Sequence, residues 1–156
     1  MILHIIAFQM SLDEQLKRCL SSLADLLDWV AEAERHLGSE QPLPEEHHTL
    51  TYQADEHHAL NEDVIEHQQP VVQVVQTASQ ILEQFENKLR PADKTKLEDL
   101  SSELKSRYDN VYVQSNTRQN RLQGALPELQ KIEEDRVGVD AWLTEAEQTL
   151  AEVCGL

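Results

Sequence analysis

The chain has 156 residues, with 13 basic against 29 acidic side chains, a net charge of −16 with His neutral, four Gly, five Pro and two Cys. A field of that sign repels nucleic-acid phosphates and anionic lipid headgroups, which demand clustered Lys and Arg, so DNA, RNA and membrane surfaces are poor partners. The Leu-, Gln- and Glu-rich remainder reads as long helices bathed in solvent, and Cys19 and Cys154, with no CxxC pair, suggest two reduced thiols in a cytosolic protein and neither a disulfide framework nor a zinc site.

Residues 1–11 form an N-terminal segment. Its run from Ile2 to Phe8 is apolar, but it lacks a basic n-region and a small-residue cleavage site, and it is too short to span a bilayer. It is read as a helix end or irregular start that packs on a neighbour.

The first helix is expected over 12–37. Leu16, Leu20, Leu23, Leu27, Val30 and Leu37 form a heptad seam, which Cys19, Leu26, Trp29 and Ala33 widen toward a second neighbour. Ser11 with Glu14 has the form of a capping box, and Gly38, Pro42 and Pro44 supply the stop. At 1.5 Å per residue the helix spans about 39 Å.

A second seam, Leu60, Val64, His67, Val71, Val74, Ala78, Ile81 and Phe85, places a helix over 45–88, with a kink expected near Gln68 to Pro70 because proline lacks the N–H that would bond to the carbonyl of Glu66. The polar loop from Asn87 to Asp93, centred on Arg90-Pro91, breaks it. The third seam runs Leu97, Leu100, Leu104, Tyr108, Val111, Ser115, Arg118, Leu122, Ala125 and Leu129 and places a helix over 93–126. It points onward through Ile132, with a bend expected at Pro127. No segment shows the period-2 alternation of a strand.

The opening helix contains a nine-residue string that returns. Trp29-Val-Ala-Glu-Ala-Glu-Arg-His-Leu37 reappears as Trp142-Leu-Thr-Glu-Ala-Glu-Gln-Thr-Leu150 with Trp, both Glu, Ala and the final Leu in register. The shift, 142 − 29 = 113 residues, is the size of one unit of a tandem array. Residues 12–126 then make one complete unit and 127–156 the first helix of the next.

Three helices with broad seams and short polar loops bury those seams on one another, which predicts an all-α, left-handed antiparallel three-helix bundle. The expected core anchors are Trp29, Leu23, Leu60, Val64, His67, Val74, Leu104, Val111 and Leu122, with the indole of Trp29 mid-bundle. In the second copy, Ile132, Val139, Trp142, Leu143 and Leu150 belong to an orphan stripe. Such a stripe predicts self-association or packing against the Ile2 to Phe8 segment.

Trp29 with its following aliphatic, Glu and Leu positions, the Leu60-Asn-Glu-Asp-Val-Ile-Glu-His67 helix, and the Leu104, Tyr108, Ser115, Arg118, Arg121-Leu122 pattern together resemble the spectrin repeat. Within that superfamily the Arg118-Gln-Asn-Arg-Leu-Gln-Gly-Ala-Leu126 and Trp142 to Leu150 runs most resemble the rod of spectraplakins, the actin–microtubule cross-linking plakins; dystrophin-like and nesprin-like rods share the same skeleton. The resemblance implies a cytoplasmic, cytoskeletal spacer. Its implied partners are neighbouring repeats of the same chain and cytoskeletal or adaptor proteins.

Other chemistries find little support. His47-His48, His57-His58 and His67 are the one cluster that suggests metal, yet no His-xxx-His pair, HExxH or Cys partner completes a site. The pairs Asp13/Lys17, Glu14/Arg18 and Glu103/Arg107 have the acid-first spacing that supports a helix. No carboxylate pair is marked by an apolar pocket, Gly38, Gly124, Gly138 and Gly155 compose no phosphate loop, and no GxSxG elbow occurs. A non-enzymatic spacer with no cofactor is the leading reading. The alternative is a dedicated recognition module that docks a partner helix or loop between its helices, through exposed residues such as Tyr52 or Tyr112.

Overall fold

The structure is a computed structural model that describes residues 11–155; the N-terminal segment, with its expected Ile2 to Phe8 packing, lies outside the described residues. Four helices follow one another: α1 (Leu12–Gly38), α2 (His47–Glu66), α3 (Gln68–Gln84) and α4 (Pro91–Val153). There is no strand among the described residues. The architecture is an all-α three-helix bundle in which α2 and α3 together form the second leg.

The helix ends follow from local chemistry. Ser11, in extended conformation, accepts the Glu14 N–H on its hydroxyl at 3.2 Å, satisfying one of the orphan donors of the first turn of α1. At the other end Gly38 is still helical, and the stop falls on Ser39, whose N–H reaches the carbonyls of Arg35 and His36. Gly155, at φ +69°, follows the last turn of α4 in the left-handed region that glycine enters without strain.

The second leg corrects the expectation of one helix over 45–88. It is broken at His67, and it ends at Gln84 with Phe85 as its C-cap. Pro70 explains the break. In an unbroken helix its nitrogen would bond to the Glu66 carbonyl; instead α2 stops at Glu66, α3 starts at Gln68, and Pro70 falls in the first turn of α3, where a missing N–H costs little. The loop before α4 spans 85–90, and Pro91 opens α4, a position that suits its fixed φ.

Pro127 behaves differently. The expected bend there does not interrupt the helix, since α4 is assigned without a break from Pro91 to Val153. Pro127 and Gln123, whose carbonyl loses its N–H partner, are both exposed, so water can take the freed acceptor.

The described chain divides into two compact units. Unit 1 comprises the described residues up to Glu40 together with Leu60–Asn116. Its core draws on every leg: Leu16, Cys19, Leu23, Val30 and Ala33 from α1, Val64 from α2, Val71, Val74, Ala78 and Ile81 from α3, and Leu97, Leu104, Tyr108 and Val111 from α4. On α1 the deepest residues include Cys19 and Ala33, at 3% and 2% exposure, whereas Leu20 and Leu27 are only half-buried. The seam centre is therefore turned from the expected one toward the side taken to be its margin. The Cys19 thiol is a free, buried group 4.0 Å from the Val74 carbonyl, and burial raises its pKa.

Unit 2 comprises Gln41–Ala59 and the described residues from Thr117. It has two helical segments, and its apolar cluster is correspondingly small: Leu50, Ala54 and Leu122 are buried, flanked by half-buried Ala125, Leu126 and Leu129. Arg118 supplies polar support, donating to the Gln41 carbonyl at 2.6 Å and the Gln53 side-chain oxygen at 3.3 Å.

Leu23 is fully buried, so Leu23→Ala is expected to lower stability by about 2 to 5 kcal/mol. Gly124 lies inside α4 with open space around its Cα, and Gly124→Ala is expected to raise stability by about 0.5 to 1 kcal/mol. Urea denaturation of both variants checks the pair; the reading of the core fails if Leu23→Ala is neutral.

Candidate functional site

The densest set of specific side-chain contacts lies in unit 1, where α2 ends inside the bundle. A helix terminus there must satisfy its last carbonyls without water. Asp63 and Val64 carry two of these. The Asp63 carbonyl accepts the His67 N–H at 3.1 Å and also lies 2.7 Å from the His67 Nδ1, which must donate to it. The Val64 carbonyl accepts the Tyr108 hydroxyl from α4. Two side chains thus cap the broken helix.

Those caps bring Trp29 into the cluster. Its indole stacks on the His67 ring, centroids 3.8 Å apart and planes within 8°, and its Nε1–H donates to the Asp63 carboxylate at 2.9 Å. The Trp29 and Tyr108 rings stand 6.1 Å apart and tilted, and Tyr108 in turn meets Tyr112 at 6.2 Å. Burial pushes the Tyr108 phenol up to about 12, with Tyr112 and Asp109 adding to the shift.

One charged clamp joins α1 to α4. The Arg107 guanidinium donates twice to the Glu34 carboxylate and once to Glu103, one turn before it on α4, at 3.1 Å. The Glu34 hydrogen bond is the main cause that holds the guanidinium pKa above its ordinary value. All three side chains are partly exposed, so water screens the clamp and its energetic contribution is modest.

The expected anchors separate into two groups. Leu23, Val64, Val74, Leu104 and Val111 are buried in unit 1, and Leu122 is buried in the unit 2 cluster. Trp29, Leu60 and His67 are half-buried, so Trp29 is not the mid-bundle plug anticipated for it: an indole N–H needs an acceptor, and the acceptor here is a carboxylate near solvent. Tyr52 is exposed, but Tyr112 packs against the core and is not free for docking. Asp63 as the indole acceptor and Glu34 as the arginine acceptor were not foreseen. The signals available were a seam Trp in need of an acceptor and an Arg placed one helix away from an acidic position.

The second copy of the tryptophan string is placed quite differently. In unit 2, Ile132, Val139, Trp142, Leu143 and Leu150 are 62%, 55%, 65%, 45% and 63% exposed, and Val137 and Val153 are also exposed. Only Ala146 and Ala151 reach intermediate burial between residues 131 and 155.

Nothing in this arrangement has the form of a catalytic centre. No three of the described His, Cys, Asp and Glu side chains are grouped to hold a metal ion. His58 instead meets the Gln119 amide at 3.2 Å. No helix among the described residues is long and apolar enough to cross a membrane.

Comparison with known proteins agrees with a repeat architecture. A family model of the spectrin repeat matches residues 14–124. No curated protein matches the chain.

Tyr108 links the caps to pH. Its folded pKa lies above the unfolded value near 10, so the neutral phenol's contribution is complete below pH 10 and is lost as pH rises toward 12. The wild-type chain is expected to lose about 2 to 3 kcal/mol across that window. Tyr108→Phe should cost about 1 to 2 kcal/mol at neutral pH and remove that share of the alkaline loss. Urea titrations at pH 8, 10 and 11.5 check both parts.

Proposed function

Because the chain belongs to the spectrin-repeat family, a structural and non-catalytic class of helical modules, we propose that it is a rod repeat of a cytoskeletal linker, acting as spacer and interaction scaffold between actin- and microtubule-binding ends. The observation that carries the reading is continuity: the family match ends at residue 124, while α4 runs on to Val153 through a second copy of the tryptophan string. A helix shared by one unit and the next is how an array passes length along its axis. The sequence of α4 and of the second copy favours a spectraplakin rod among such linkers, in a cytoplasmic setting. Neighbouring repeats and cytoskeletal or adaptor proteins are its partners.

A second reading, a dedicated recognition module, is favoured by one residue. Tyr52 stands 61% exposed on α2, where aromatic side chains serve as anchors of protein interfaces.

Cosedimentation separates these readings. Filament surfaces are acidic, and a spacer of net −16 should remain in the supernatant with both actin filaments and microtubules at physiological salt. Saturable pelleting with either filament would overturn the spacer assignment in favour of direct binding. Saturable capture of an adaptor that weakens at least tenfold in Tyr52→Ala would favour the recognition module.

A further inference from the structure

The 113-residue register supplies a way to read the exposed face of α4. It sets Leu129 on Leu16, Ile132 on Cys19, Leu143 on Val30 and Ala146 on Ala33. The α1 members of these pairs are buried at 8%, 3%, 0% and 2% exposure. Residues 129–153 thus carry the pattern of a buried helix face while presenting most of it to solvent.

Two polar groups sharpen the pattern. Trp142 corresponds to Trp29, whose indole donates to the Asp63 carboxylate, and Glu147 corresponds to Glu34, which receives the Arg107 guanidinium. The face therefore offers one indole N–H and one carboxylate at positions that, on α1, are answered by an acid and an arginine. Its rim is also strongly acidic: residues 128–153 hold eight acidic side chains against two basic ones, Lys131 and Arg136. A second copy laid along this face would set one acidic rim against another, at a repulsive cost.

We propose that residues 129–153 are a docking face for a separate polypeptide that presents an apolar helical surface rimmed by Lys or Arg, with one arginine set against Glu147 and an acceptor set against the Trp142 indole. Apolar burial supplies the attraction, and the charged rim selects the partner and speeds encounter. The inference rests on register and charge, and it stands whether or not the chain serves as a cytoskeletal spacer.

The test uses the full chain and two synthetic helical heptad peptides with Leu at positions a and d, one carrying Lys and Arg at e and g, the other Glu. Fluorescence anisotropy of the labelled cationic peptide should saturate at one per chain and weaken as salt rises. Affinity should fall at least tenfold in the Leu143→Ser/Leu150→Ser variant and several-fold in Glu147→Gln, while the Glu peptide fails to bind. These positions are exposed, so circular dichroism should show unchanged helix content in both variants. No saturable binding, or binding indifferent to the Leu143/Leu150 change, overturns the proposal. So does sedimentation as a dimer that excludes the peptide, because it assigns the face to a second copy.

Discussion

One missing hydrogen atom organises unit 1. Pro70 has no N–H to give the Glu66 carbonyl, so the second leg cannot run as one helix, and a helix end falls among packed side chains. An uncapped terminus there would strand polar carbonyls, each unmade bond costing roughly 1 to 3 kcal/mol. His67 and Tyr108 answer the carbonyls of Asp63 and Val64, and Trp29 packs on the first while bonding to the Asp63 carboxylate. The three legs are tied at that point by directional contacts, whereas the surrounding Leu and Val side chains impose shape but little orientation.

The two units differ in how they are held. Unit 1 has an apolar core fed by three legs, with a buried polar pair in which the Ser115 hydroxyl donates to the Asn61 side-chain oxygen at 2.7 Å. Unit 2 buries three apolar residues and relies more on polar contacts, among them Arg118 with the Gln41 carbonyl. One of its buried acceptors, the Gln119 Oε1, has no hydrogen-bond partner among the described residues. Little apolar burial together with an unanswered acceptor is the composition of a segment that opens at low free energy. Local opening should therefore begin in unit 2 while unit 1 keeps its packing.

Much of this was legible from spacing. Heptad steps select residues that the structure buries on the second and third legs, because an apolar stripe of that period has one low-energy arrangement among neighbouring helices. On the first helix the same reasoning misjudged the centre of the stripe, since Leu20 and Leu27 look more hydrophobic than Cys19 and Ala33, although small side chains sit where helices approach closely. Proline identity implied a disturbance at residue 70 but not that His67 would become the junction; that depends on which side chains can reach the freed carbonyls. The Trp29–Asp63 and Glu34–Arg107 contacts join residues 34 and 73 positions apart, and no local pattern records such pairings. The placement of the two tryptophans shows the limit plainly. Identical strings acquire opposite environments because burial belongs to the neighbours and not to the string.

The two thiols divide along the same line. Cys19 is sealed beneath α3 with its pKa raised by burial, while Cys154 stands exposed just beyond α4. An alkylating reagent meets Cys154 at once, but it reaches Cys19 only during excursions that part the core of unit 1. The chain thus carries its own clock and its own reference: labelling of Cys154 reports reagent supply, and the lag before Cys19 reacts measures how often the bundle breathes.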